Sequence, residues 1–432
     1  MTSITIRKKD KILKAETRLP ASKSLSNRAL ILQALSNGKL QIKNLSDAGD
    51  TLLLVNLLRV IEQPRNPNET VMLDCFNAGT VLRFLTAYLS LRAGKWLLTG
   101  SQRMKERPVG PLVANLKQLG ANICFTEKEG YPPILIEGRS ISGGAIEADA
   151  GISSQFISAL LMIAPVLKGG LRVSLRDKIA SAPYIRMTLG VLSDCGIKYE
   201  FLDNLIIIPG QEFRQSEITI EPDWSSASAW YQMAALADEA DILLKDLKEI
   251  SLQGDSILPA IFSNFGVKTD FISKGARLTK TSSKCSHFQF DFTDHPDLAQ
   301  AVMATCAGLN IPAEFTGLQS LRIKETDRIA AMTNELTKLG FNISGDNDSV
   351  MIKKSRTEIA NSKWIIPNQE PGAISPVPIS TYNDHRMALA FAPMTLVLGS
   401  ICIENPGTVS KSYPGFWKDI EKAGFNYLSD PG

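Results

Sequence analysis

The chain has 432 residues, 44% of them apolar and 21% charged, with a formal net charge of +3. That length suits two or three domains with large cores, and the composition is that of an ordinary globular protein. The charge is too small to point by itself to nucleic acid or an anionic surface, and six scattered cysteines without a CxxC, beside three histidines, argue against a zinc site or a disulfide framework.

The N-terminal run MTSITIRKKDKILKAETRL alternates like a hairpin and lacks the apolar stretch of a signal peptide. No run of about 18 apolar residues is present, so no membrane span is predicted. A reducing cytoplasm fits the single cysteines. Next comes LPASKSLSNRALILQAL (19–35), a loop entering a helix. Lys23 and Arg28 sit around the helix entry, where the macrodipole is already positive and prefers anions. Either the cations face water or something negative lands there.

The same kind of helix recurs. Six segments rich in Ala, Leu and Met begin near Ser24, Ala78, Ser153, Ser225, Pro296 and Asp384, and each leads into a short strand. They are apolar nearly all round, which predicts burial. A second, amphipathic kind alternates with them. Five copies end in Gly before a strand, at Gly120, Gly196, Gly266, Gly340 and Gly424, which suits a left-handed C-cap. The sixth, DTLLLVNLLRVIE, lacks its Gly. The six starts average 72 residues apart, and a period of this length marks a repeat architecture. Helices inside and strands outside invert the usual layering; the competing reading is an ordinary α/β sheet protein.

The starts of the buried helices carry unusual polar sets: KSLSNR, NAGT, SSQ, DWSS, HPD and NDHR. If the helices of each half run parallel, these starts converge, and free N–H groups make a natural anion site. Taken singly, each set has a cheaper reading. Ser153, Ser154 and Gln155, and Ser181 and Tyr184 in DKIASAPYIRM, can be helix caps. Arg107 in RMKERP and Lys411 before YPGF can be surface charge. Gly79 allows close backbone approach. SLRIKETDRIAAM sets Lys324 and Arg328 four apart around Glu325, either a solvated helix start capped by Thr326 or Asp327, or an anion clamp beside a proton-carrying carboxylate, for which Glu325 needs partial desolvation. Asp297 follows Pro296 at a helix start, and Asp384, His385 and Arg386 stand at another. No GxxxxGK[ST], GxGxxG or HExxH occurs.

In this order, SKSLSNR, NAGT, RMKERP, SSQF, DWSSAS, PD, RIKETDRI, NDHRMA and the lysine before YPGF cover nearly the whole chain, and the chain resembles the EPSP synthase family of enolpyruvyl transferases. The resemblance implies an inside-out α/β barrel in two domains, each of three βαβαββ units with buried helices and outer sheets. One domain is discontinuous (1–19 and 222–432), the other inserted (20–221), with the active site in the cleft between them. It implies transfer of the enolpyruvyl group of phosphoenolpyruvate to the 5-hydroxyl of shikimate 3-phosphate through a tetrahedral ketal, with no cofactor, no metal and a monomeric enzyme. Ser153, Ser154 and Ser181 are then expected on the shikimate phosphate, and Ser24 and Arg28 on its ring carboxylate. Gln155 and Tyr184 line the ring, and Asp297 accepts the 5-hydroxyl proton. Gly79, Arg107, Gln155, Arg328, Arg386 and Lys411 grip phosphoenolpyruvate. Lys23 touches both ligands, and Glu325 serves the methylene carbon with Lys324 and His385 nearby. Seven cations (Lys23, Arg28, Arg107, Lys324, Arg328, Arg386 and Lys411) then face Asp297, Glu325 and two ligands carrying roughly −5 to −6 together. Two positions depart from the family pattern: Ser320 stands where an Asn is common, and Arg83-Phe84 where Arg-Pro is. Residues 355–380 read as a Pro-rich surface insertion. The sister enzyme acting on UDP-N-acetylglucosamine carries a reactive Cys on a mobile Gly-rich loop; the basic loop 103–107 here has none.

Overall fold

Four of the six buried helices begin at a side chain that accepts from a free amide of the first turn. Ser22 accepts from Leu25 N, Ser153 from Gln155 N, Asp223 from Ser226 N and Asp384 from Arg386 N. Of the other two, Gly79–Leu91 has no side-chain cap and Ala299–Gly308 follows a single 3₁₀ turn, Pro296–Leu298. The computed structural model describes residues 3–64, 66, 69–177, 179–346, 348–354 and 377–430. Most of the expected insertion, residues 355–376, lies outside the described residues; Pro378–Ile379 beyond it forms a short strand.

The chain divides into two compact units. One comprises Met1–Pro20, Pro222–Ser251 and Asp255–Gly432, and the other Ala21–Glu221 with Leu252–Gly254. Each has its own apolar core. Leu252–Gly254, expected in the discontinuous domain, group with the inserted one: Leu252 packs so closely on helix residue Gly190 that a Cβ there would meet its Cδ2 at 2.6 Å.

In the inserted unit the helices Lys23–Leu35, Gly79–Leu91 and Ser154–Ile163 pack on one another and are buried along most of their length. Two four-stranded sheets share one plan. In the first, Thr70–Asp74 runs parallel to Gly94–Thr99, which pairs antiparallel with Ile134–Gly138, and that with Asn122–Phe125. The second repeats this with Ser142–Asp149, Lys168–Arg176, Leu205–Ile208 and Glu200–Leu202. The order strand, inner helix, strand, outer helix, hairpin is the βαβαββ unit. The remaining sheet has two strands, Leu40–Lys43 parallel to Ser216–Thr219. Among the described residues it has no hairpin, and the first two buried helices start correspondingly close together in sequence.

The discontinuous unit packs helices Trp224–Leu236, Ala299–Gly308 and His385–Phe391 together inside three four-stranded sheets of the same plan. The expected N-terminal hairpin is not there. Ser3–Arg7 pairs antiparallel with both Ser400–Glu404 and Asn426–Asp430, whereas Ile12–Arg18 lies parallel to Glu239–Lys245 in a different sheet. Alternation describes each strand correctly but cannot name its partner.

All five predicted cap glycines have positive φ, between 77° and 100°. They end the outer helices Gly110–Gln118, Ala182–Asp194, Leu258–Ser263, Arg328–Lys338 and Phe416–Lys422, where a left-handed residue satisfies the last carbonyls without a Cβ clash. The outer helix Gly49–Glu62, without a Gly, runs out into extended backbone at Gln63. No described helix is long and apolar enough to cross a membrane.

Candidate functional site

The predicted residues fall into two charged clusters, one in each unit. In the inserted unit, Lys23 is the first residue of its helix and pairs with Asp50, in the first turn of the neighbouring outer helix, at 3.2 Å. Arg28, one turn on, is buried. Its guanidinium donates to Thr188 Oγ1 (2.7 Å), the Ser24 carbonyl (2.9 Å), Ser158 Oγ (3.1 Å) and the Tyr184 carbonyl (3.3 Å), and lies over the Phe84 ring. Ser24 and Tyr184 thus touch Arg28 through their backbones. No carboxylate among the described residues is within ion-pair distance, and burial lowers the guanidinium pKa to about 10.

Gly79 opens its helix against two arginines; a Cβ there would meet Arg107 Nη2 and Arg83 Nη1, both at 2.5 Å. The absence of a side chain is what lets buried Arg107 reach the Asn77 carbonyl at 3.3 Å. Arg83 donates to the Pro108 carbonyl. Phe84 is wholly buried. Ser153 caps its helix by accepting from Gln155 N, which leaves the hydroxyl proton to donate, while Ser154 is buried in the first turn and Gln155 half-buried beside it. Ser181 is buried and left-handed, at φ 59° and ψ 42°. That conformation is uncommon for a residue with a Cβ and recurs where a side chain must be aimed.

In the discontinuous unit the cluster is a chain of alternating charges. Asp327 caps its helix, so Arg328 is the first helical residue and is buried rather than solvated. Lys324 lies before the cap in extended backbone, so the two cations do not share a helix face. Arg328 donates to Asp384 (2.7 Å), Asp297 (3.1 Å) and Glu325 (3.1 Å). Arg386 holds the other oxygen of Asp297 at 2.9 Å, and Lys411 the other oxygen of Glu325 at 2.9 Å. The three carboxylates outweigh burial and raise the Arg328 pKa. Asp297 and Glu325 thus each lie between two cations. His385 is buried with Nδ1 3.6 Å from Asp384. Ser320 and Lys324 are half-buried on the 3₁₀ turn Gln319–Ile323 and just after it.

The turn ahead of Asp384 is wound tightly. Tyr382 and Asn383 both have positive φ, and Asn405 Nδ2 donates to Asn383 Oδ1 at 2.7 Å. Behind it Glu335, buried in the neighbouring outer helix, accepts from Tyr382 Oη at 2.8 Å and from Ser380 N at 3.3 Å. Two carboxylates, Asp50 and Asp255, escaped the sequence reading, and a third, Asp384, stood in it only as a helix-start residue. Asp50 and Asp384 are ion-pair partners of predicted cations, and Asp255 is buried beside Ser225, whose hydroxyl donates to it. Seven cations facing two acids is therefore an undercount of the acids. Each of the three resembles an ordinary helix-start carboxylate, and no sequence signal separates it from one.

Residues 7–420 match the EPSP synthase family, also described as 3-phosphoshikimate 1-carboxyvinyltransferase. A 3-phosphoshikimate 1-carboxyvinyltransferase of Bacteroides fragilis strain YCH46 is 46% identical over 414 residues, 96% of each chain. One from Sulfurovum sp. strain NBC37-1 is 32% identical over 442 residues, 98% of this chain and 99% of the other. An EPSP synthase structure from Acinetobacter baumannii, at 22% identity, covers 100% of both chains with a TM-score of 0.74, a likeness of fold. A match of this extent and identity, on a chain whose βαβαββ repeats set charged residues at the starts of their inner helices, means that the protein belongs to the EPSP synthase family.

Proposed function

We infer that the chain carries out its family's reaction, transfer of the enolpyruvyl group of phosphoenolpyruvate to the 5-hydroxyl of shikimate 3-phosphate with release of phosphate, and that residues of both units serve it. The observation that carries the assignment of roles is the pair of doubly bridged carboxylates, Asp297 between Arg328 and Arg386 and Glu325 between Arg328 and Lys411. A carboxylate pinned by two guanidinium groups is fixed in direction, so Asp297 suits accepting the 5-hydroxyl proton as oxygen attacks C2 of the enol. Glu325 is 9% exposed, which gives it a desolvated seat from which to pass a proton to the methylene carbon on addition and take one back on elimination. His385 stays a neighbour of Asp384 in this scheme, and Lys324 adds positive charge beside Glu325.

In the inserted unit Arg28 and Ser24 take the ring carboxylate. Ser153, Ser154 and Ser181 take the shikimate phosphate, and Gln155 and Tyr184 line the ring; Ser320 of the discontinuous unit is a further contact of the same substrate. Lys23, Gly79, Arg107, Gln155, Arg328, Arg386 and Lys411 receive phosphoenolpyruvate. Fixed cations in reduced dielectric stabilise charge that develops between ground and transition states.

The test is phosphate release by the purified chain. Turnover is expected only when shikimate 3-phosphate and phosphoenolpyruvate are both present. Replacing the shikimate phosphate by UDP-N-acetylglucosamine tests the sister reaction, against which the Cys-free helix Gln102–Lys105 and Arg107 already speak. Release with phosphoenolpyruvate and the nucleotide sugar but not with shikimate 3-phosphate reassigns the substrate, and no release with either pair rejects the enzyme.

A further inference from the structure

Asp255 lies in the 3₁₀ turn Gly254–Ile257 and is 3% exposed. One carboxyl oxygen accepts from the Ser225 hydroxyl. The other, Oδ1, is buried with no hydrogen-bond partner among the described residues. The charges bearing on the group come from three elements: Asp223 at the cap of helix Trp224–Leu236, Asp297 in the turn Pro296–Leu298, and Arg386 in helix His385–Phe391. A buried anionic oxygen without a donor is costly, and two carboxylates near one guanidinium repel each other. Of the two, Asp297 is 19% exposed and bonded to two arginines, whereas Asp255 has one hydroxyl. Asp255 is therefore the poorer seat for a negative charge.

We propose that Asp255 is a positioning residue that carries the proton of the Asp255–Asp297 pair, so that Asp297 stays ionised and Arg386 stays with Asp297. This rests on the reading of Asp297 as acceptor of the hydroxyl proton. Burial first, then the Asp297 charge, pushes the Asp255 pKa up to about 7, partly offset by Arg386. Above that, ionised Asp255 competes for Arg386 and loosens its hold on both Asp297 and phosphoenolpyruvate.

The test compares wild type with Asp255→Asn, which keeps the shape and is always neutral. The ratio of variant to wild-type kcat/KM is expected to rise tenfold or more between pH 6 and pH 9, carried by KM for phosphoenolpyruvate; a flat ratio overturns the proposal. Stability supplies a readout free of turnover. Between an unfolded value near 4 and about 7, the folded wild type binds more protons than the unfolded chain. Its stability relative to Asp255→Asn must then fall as pH rises through that window and level off above it. The ¹³C carboxyl resonance of Asp255 in the wild-type full chain, titrating near pH 7, supports the proposal; titration near pH 4 overturns it even where turnover is normal. Absence of turnover in the wild type overturns the reaction assignment instead, and leaves the titration to decide where the proton sits.

Discussion

Arg28 and Arg328 are both 2% exposed, and their surroundings are opposite. Arg28 is held by hydroxyls, carbonyls and the Phe84 ring, and its charge is not neutralised by any described carboxylate. Arg328 is held by three carboxylates, two of which reach on to Arg386 and Lys411. Burial dominates the first and depresses its pKa to about 10; the carboxylates dominate the second and raise it. The difference separates two uses of a buried cation. Arg28 is a bare charge kept in place by neutral groups, the arrangement needed to receive an anion from outside the protein. Arg328 is the post on which the unit's own carboxylates are hung.

That contrast is broken most severely at Arg328. Arg328→Ala leaves Asp297, Glu325 and Asp384 buried beside one another without their common partner. The expected loss of folding stability is about 3–5 kcal/mol, as for other buried pairs robbed of one member, with turnover abolished. Denaturant unfolding measures it, and a loss under about 1 kcal/mol would show that the network is a surface feature. Arg28→Ala is expected to act differently. With neutral partners left behind, stability falls less, while affinity for shikimate 3-phosphate weakens by on the order of 2 kcal/mol or more, roughly 30-fold, as for a lost charge-assisted bond. Calorimetric titration decides it, and unchanged affinity returns Arg28 to a purely structural role.

Glu335 sharpens the carboxylate side of the comparison. It is 1% exposed and ties the turn before Asp384 to its own helix through Tyr382 and Ser380, and it also pairs with Lys338 one turn on in that helix. Glu335→Ala leaves the Tyr382 hydroxyl and the Ser380 amide unmatched. The expected cost is about 1–3 kcal/mol, read as a lower denaturation midpoint, with a smaller fall in kcat as Asp384 loosens. A fall in kcat without any loss of stability would instead place Glu335 in the chemistry.

What the sequence made legible follows the range of the physics involved. The cap glycines Gly120, Gly196, Gly266, Gly340 and Gly424 obey a rule of a few residues, and all five adopt the expected backbone. The repeat is legible because each unit restates the same local pattern. The partners of Ser3–Arg7 and Ile12–Arg18 are not, because pairing across hundreds of residues leaves no trace in either strand's own alternation. The site divides the same way. Arg386 and Lys23 stood out because cations at helix starts oppose the dipole. Asp50, Asp255 and Asp384 satisfy that dipole and passed as ordinary, although each lies buried against a residue of the site or its helix start.

The smallest expected effect lies at Phe84, where the chain departs from the Arg-Pro its family commonly has. The ring is wholly buried, and the Arg28 guanidinium sits 5.4 Å from its centre. A cation over an aromatic face is worth about 0.5–2 kcal/mol, the upper end when water is excluded, and here it is one of few attractions offsetting the burial of Arg28. Phe84→Leu keeps an apolar group of nearly the same reach and removes the π face. Affinity for shikimate 3-phosphate is then expected to fall two- to fivefold as Arg28 gains freedom, with affinity for phosphoenolpyruvate unchanged. The alternative is that Phe84 only fills space. In that case the substitution lowers the melting temperature through imperfect packing and leaves both affinities alone, so titration with each ligand beside a melting curve separates the two uses of the ring.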